Sequence, residues 1–176
     1  MKHLIPSLAL SMLFCIYGCS QNDNKKEEAI SKTEAKSTAA KTAAHVQIPN
    51  SHLYIIPPEG FIENEVAGQL QKDSPNGIIS SFMMMNIISG YTWEKYFAEL
   101  KVDCEKNFPG FWKEEQINVS GHTATLYQYK NLGITQHYLC FSDNYSNEMI
   151  VANYDENDTT TGNEMYNAMK TVVVEK

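Results

Sequence analysis

The sequence predicts an α+β domain, an antiparallel β-sheet with packed helices, preceded by a signal peptide and a disordered tether. Three observations carry this. Short runs rich in β-branched and aromatic residues recur through the second half, with Gly, Asn and Asp between them. Two other segments repeat apolar residues at helical spacing. The first 45 residues hold one apolar stretch and otherwise no periodic pattern.

Residues 1–18 read as a lipoprotein signal peptide. Lys2 precedes an apolar stretch over 4–16 that is too short, and too interrupted by Pro6, to span a bilayer. Signal peptidases need a small side chain before the cut, so Gly18 before Cys19 fits and Phe14 before Cys15 does not. The run Ile16, Tyr17, Gly18, Cys19 resembles the bacterial lipobox, with Tyr17 bulkier than usual. That resemblance implies diacylglycerol on the Cys19 sulfur and an acyl group on the new N-terminus. Each buried methylene contributes roughly 0.8 kcal/mol, so two or three chains anchor stably where one does not. Ser20 follows, where Asp would retain a Gram-negative lipoprotein in the inner membrane, which favours the outer membrane.

From Cys19 to His45 the only large apolar residue is Ile30, and lysines nearly balance acids. Such a segment buries too little surface to offset chain entropy, so 19–45 is expected to be a flexible tether. Residues 46–176 suffice for one domain with its own core. This part carries eight lysines against 17 acids, a net charge of −9. It therefore repels phosphate backbones, and no nucleic-acid partner is expected. Arginine is absent from the whole chain, and with it the bidentate clamp for phosphates and carboxylates.

Within the domain, a strand is expected over 53–56, stopped by Pro57 and Pro58, and a second extended piece begins near Phe61 after Gly60. A turn over 73–77 precedes a strand over 78–88 that is apolar on both faces and so belongs in the middle of the sheet. Thr92 caps a helix whose Trp93, Tyr96, Phe97, Leu100 and Cys104 share one face, ended by Pro109 and Gly110. A meander follows with strands over 112–119, 123–130, 134–141 and 148–154, separated by turn residues. The last helix is expected to start with Thr161 and Glu164 as a capping box and to turn Met165, Tyr166, Met169, Val172 and Val173 inward.

The Pro58, Gly60, Phe61 opening, the Thr92, Trp93, Tyr96 helix start, the run Val119, Ser120, Gly121, His122, Thr123, Ala124 and the closing helix together resemble PsbP-like domains. That α/β/α sandwich superfamily (the Mog/PsbP type) includes a lumenal photosystem subunit, a nuclear import factor that binds a Ran GTPase, and bacterial DcrB-like lipoproteins. The resemblance, over about residues 50–174, implies protein binding or assembly without catalysis, and it transfers no individual functional residue.

Candidate chemistry is sparse. Cys104 and Cys140 are a possible disulfide pair, which would stabilise by about 3 to 4 kcal/mol; two separately buried thiols are the plainer reading, since disulfide geometry is demanding. Met83, Met84 and Met85 invite a Cu(I) reading, but neighbours on a strand face opposite ways, and a packed strand is the expectation. His122 and His137 lie on predicted strands without metal-ligand spacing. Asp155, Asn157 and Asp158 begin like a calcium loop, yet Thr160 and Tyr166 stand where Gly and Glu are needed, so a solvated turn and helix cap is the expectation. No metal, no cofactor and no catalytic residue is expected, since serine elbows, phosphate loops and zinc-protease helices are all absent. Tyr91, Tyr127, Tyr129, Tyr145 and Tyr154 are candidates for a protein interface, or else ordinary strand filling. The expected function is that of a lipid-anchored cell-envelope accessory protein, non-catalytic, docking an envelope protein partner through its sheet and loops. The alternative is a lipoprotein that captures a small ligand or metal.

Overall fold

The computed structural model describes residues 39–175 apart from Ser89 and Asn144; the expected signal peptide, Cys19 and most of the tether lie outside the described residues. The elements run β1 (Val46–Gln47), β2 (Leu53–Ile55), β3 (Ile62–Asn64), β4 (Gln69–Lys72), β5 (Ser80–Met85), α1 (Trp93–Asn107), β6 (Lys113–Val119), β7 (His122–Asn131), β8 (Ile134–Phe141), β9 (Met149–Asp155), α2 (Thr159–Met169) and β10 (Val173–Val174). This is the α+β architecture expected: two helices on an antiparallel sheet.

The meander begins with local turn chemistry. Ser120 and Gly121 alone link β6 to β7, and Leu132 and Gly133 alone link β7 to β8. Their φ angles of 53°, 83°, 46° and 84° are all positive, the two-residue geometry whose twist matches paired strands. β9 then adds to β8, and β5, β4 and β3 extend the sheet, giving the order β3-β4-β5-β9-β8-β7-β6. The strand expected over 78–88 is shorter than its apolar run, because β9, its partner, ends the pairing at Met149 opposite Met85. Ile79 and Ile88 fall outside it and are exposed. Its interior position, between β4 and β9, is as expected.

Side chains alternate across this sheet into two clusters. Phe82, Ala124, Leu126, Leu139, Ile150 and Ala152 face Met165, Ala168 and Met169 of α2, together with Leu53 and Ile55 of the small sheet β1-β2-β10. On the opposite face Tyr129, Tyr138, Cys140 and Val151 meet Phe97 and Cys104 of α1. Thr92 caps α1, its side chain accepting from the Lys95 amide. The Phe97 ring stacks on Tyr127 with centroids 3.8 Å apart.

Two expectations need correction. The cap of α2 is Asp158, whose Oδ1 accepts from Thr161 N at 2.9 Å, so Thr161 lies in the first turn and does not open a capping box. Val172 and Val173 are buried, but beyond the helix: the β-branched run after Met169 leaves the helical path and forms β10, antiparallel to β2. Among the described residues before β1, Lys41 pairs with Glu175 at 2.6 Å, and His45 Nε2 lies 2.9 Å from the Thr171 carbonyl oxygen. Cys104 and Cys140 are free, buried thiols, the plainer of the two readings the sequence offers for them. Among the described residues no helix is long and apolar enough to cross a membrane.

Candidate functional site

Hairpin register aligns a polar row on the face that α2 covers. Lys113 opposes Gln128, Gln128 opposes His137, and His137 opposes Ala152. Directly opposed residues share a face. The neighbouring row on that face runs Glu115, Leu126, Leu139, Ile150. The second row is mostly core, whereas the first buries a histidine.

Gly162 determines how closely α2 settles here. A Cβ at this position would lie 2.4 Å from Cε2 and 2.7 Å from Cζ of Tyr154, so the tyrosine ring rests directly against the helix backbone. Only glycine admits that approach. Between the helix and strands β6 to β9 a cleft of about 290 Å³ remains, lined by Lys113, Glu115, Gln128, His137, Tyr154 and Tyr166, with Leu126, Gly162 and Asn163 completing it.

His137 is 5% exposed. Its Nε2 lies 2.9 Å from the Tyr154 hydroxyl, and the two rings stack with centroids 5.5 Å apart. Burial, helped by the charge of Lys113, pushes the imidazole pKa down to about 4, so the ring is neutral at pH 7. Burial also raises the Tyr154 pKa, which keeps the phenol protonated. A phenol is the stronger acid and an imidazole nitrogen the stronger acceptor, so the hydroxyl donates to Nε2. The ring's own proton then sits on Nδ1, a buried nitrogen with no hydrogen-bond partner.

At the rim, the Tyr166 hydroxyl donates to Glu115 Oε2 at 2.7 Å, and Lys170 Nζ lies 3.9 Å from the Tyr166 ring centroid. Polar donors, a cation and aromatic walls thus converge on one concavity. The imidazole is tied to a high-pKa phenol rather than to a hydroxyl or thiol that it could activate, so the geometry suits recognition.

The other sequence candidates lie elsewhere. His122 stands six residues along β7 from the partner of His137, roughly 20 Å at strand rise. Its Nδ1 pairs with Asp143 at 3.0 Å and its ring stacks on Tyr145 with centroids 3.4 Å apart. The two histidines do not converge, and among the described residues no three His, Cys, Asp or Glu side chains group as metal ligands. Cys140 and Cys104 sit on the α1 face, away from the cleft, where burial raises the Cys140 thiol far above its usual range. Met83 and Met85 pack on the α1 face and Met84 on the other. Asp155 is buried and accepts from the Asn157 amide and from Asn76, while Asp158 is committed to α2. Of the interface tyrosines, Tyr129 and Tyr154 are buried and Tyr127 is stacked in the α1 layer.

Sequence reasoning named His137 without its neighbours. Lys113, Gln128, Glu115, Tyr166 and Gly162 were missed as a group, although counting outward from the two hairpin turns pairs Lys113 with Gln128 and Gln128 with His137.

Gly162→Ala is expected to destabilise by about 1–3 kcal/mol in urea unfolding. Most of that penalty should disappear when Tyr154 is also replaced by Ala, since the clash is with its ring. A pH dependence follows as well. Above pH 6.5 both folded and unfolded His137 are neutral; as pH falls towards 4 the unfolded chain takes up a proton that the folded site refuses. Stability is therefore lost on acidification, by up to about 3 kcal/mol from this group alone. Unfolding measured between pH 7 and pH 4 should show a shallower slope in His137→Gln than in the parent.

No family model, curated protein or solved structure matches the chain, and the site is read from its own geometry.

Proposed function

We propose that the protein is a lipid-anchored, non-catalytic binding protein of the cell envelope, with the cleft beneath α2 as its binding site. The anchor is Cys19, in the run Ile16, Tyr17, Gly18, Cys19, and Ser20 after it favours the outer membrane. The observation that carries the binding half is the cleft itself. A buried, neutral histidine with one unpartnered nitrogen lines it, together with Lys113, Gln128 and two tyrosines. Leaving a buried donor unmet costs about 1–3 kcal/mol, and a ligand that accepts from it recovers that. A small ligand is the partner this supports.

The second reading is assembly with an envelope protein, as the PsbP-like resemblance implies. Its support is the element order, with strands, a helix, a four-strand meander and a closing helix on an antiparallel sheet. Both sheet faces are layered over and the candidate tyrosines are largely spent inside, so such a partner would use loops and edges. Membership of the PsbP-like superfamily stays within this proposal.

Native mass spectrometry of the full chain, gently extracted in detergent from its own membranes, tests both halves. Acyl mass lost on Cys19→Ala and a noncovalent small mass on the polypeptide are expected. Acylation that survives Cys19→Ala overturns the anchor. A polypeptide bare of small molecules but stably bound to another protein overturns the ligand reading in favour of assembly.

A further inference from the structure

The charges and donors around the cleft define a ligand class, an inference that rests on the small-ligand reading above. Lys113 is exposed on the edge strand, and no ion pair holds it among the described residues. Lys170 adds a second cation beside Tyr166. Against these stands one acid, Glu115, which also faces the cleft and accepts the Tyr166 hydroxyl proton at 2.7 Å. The two charges that line the cleft, Lys113 and Glu115, balance, and Lys170 over Tyr166 tips the surroundings positive on a domain whose net charge is −9. Distant charges are screened over about 8 Å at physiological ionic strength, so the nearby lysines dominate at the cleft.

The donors point the same way. His137 is 95% buried, and its unpartnered Nδ1 carries the ring proton when Tyr154 donates to Nε2. A carboxylate oxygen accepts such a proton, and an ammonium does not. The Gln128 amide, directly between Lys113 and His137 in register, supplies a further donor. With neither arginine nor a glycine-rich turn at the cleft, the donor set suits a singly charged carboxylate better than a phosphate. Tyr154, Tyr166 and Leu126 form walls that fit a flat apolar body. The volume of about 290 Å³ lies just below the range of drug-sized ligand sites, roughly 300–1,000 Å³, and so suits only a small ligand.

We infer that the cleft binds a small aromatic carboxylate, its carboxylate held by Lys113, Gln128 and the His137 Nδ1–H and its ring against Tyr154 and Tyr166.

Benzoate and benzamide, alike in shape and different in charge, are the probes. The full chain in detergent micelles is titrated with each while the His137 imidazole and Gln128 side-chain amide resonances are followed by NMR. Benzoate should shift both saturably and benzamide about tenfold more weakly or worse, the difference expected for a charge-assisted contact. Lys113→Gln, on an exposed strand position, should weaken benzoate to the benzamide level, and Lys113→Arg should restore most of the affinity. Equal binding of the two probes overturns the carboxylate assignment and leaves the ligand cleft standing. If neither probe moves these resonances at millimolar concentration, the carboxylate assignment and the small-ligand reading fail together.

Discussion

The structure depends on burying both faces of one antiparallel sheet. A sheet with one wet face needs apolar residues only at alternate positions. Here β8 and β9 are buried along most of their length and β5 along half of it, and each face has its own cover: α1 on one side, α2 with the small sheet on the other. Much of the remaining organisation follows. Phe97 must stack into the tyrosine-rich face, and the two methionines of α2 must fill the aliphatic one. The long edge strand β6 is mostly exposed and carries Lys113, Glu114, Glu115 and Gln116, charges and amides that discourage further strand pairing.

The cleft arises where that cover is thinnest. α2 spans Thr159–Met169, too short to lie over every strand of the face it protects. Its C-terminal half buries Met165, Ala168 and Met169, while its first turns meet the sheet through Gly162 and the ring of Tyr154. A glycine at that contact pulls the helix down on one tyrosine and leaves open ground beside it, over β6 and the polar ends of β7 and β8. His137 is placed there by register and kept neutral by burial. A neutral imidazole with one nitrogen satisfied within the fold and one unsatisfied is a fixed hydrogen-bond donor.

Much of the fold was legible in local chemistry. Thr92 and the spacing of Trp93, Tyr96, Phe97, Leu100 and Cys104 specify α1, and the turn residues at 120–121 and 132–133 specify the meander. β4 escaped notice because Gln69–Lys72 presents one apolar residue, Leu70, to the core, too little for a period to show. β10 was taken as helix because Val172 and Val173 continue the inward spacing of Met165 and Met169. Only pairing with β2, remote in sequence, makes a strand of that run. Asp158 caps α2 from the turn expected to hold a helix cap, while Thr161 and Glu164, which have the spacing of a capping box, lie inside the helix. The site was the least legible part. Its residues come from four strands and a helix, and the gap between them is set by a glycine whose role is visible only once Tyr154 lies against it.

The account turns on a single proton. If the register places His137 as described, with the Tyr154 hydroxyl donating to Nε2, the neutral ring carries its hydrogen on Nδ1. Nitrogen-15 NMR of the imidazole at pH 7 distinguishes the tautomers by the shifts of the two ring nitrogens. The Nδ1–H form is predicted. A ring protonated on Nε2, or an imidazolium on both nitrogens, would contradict the account of the cleft.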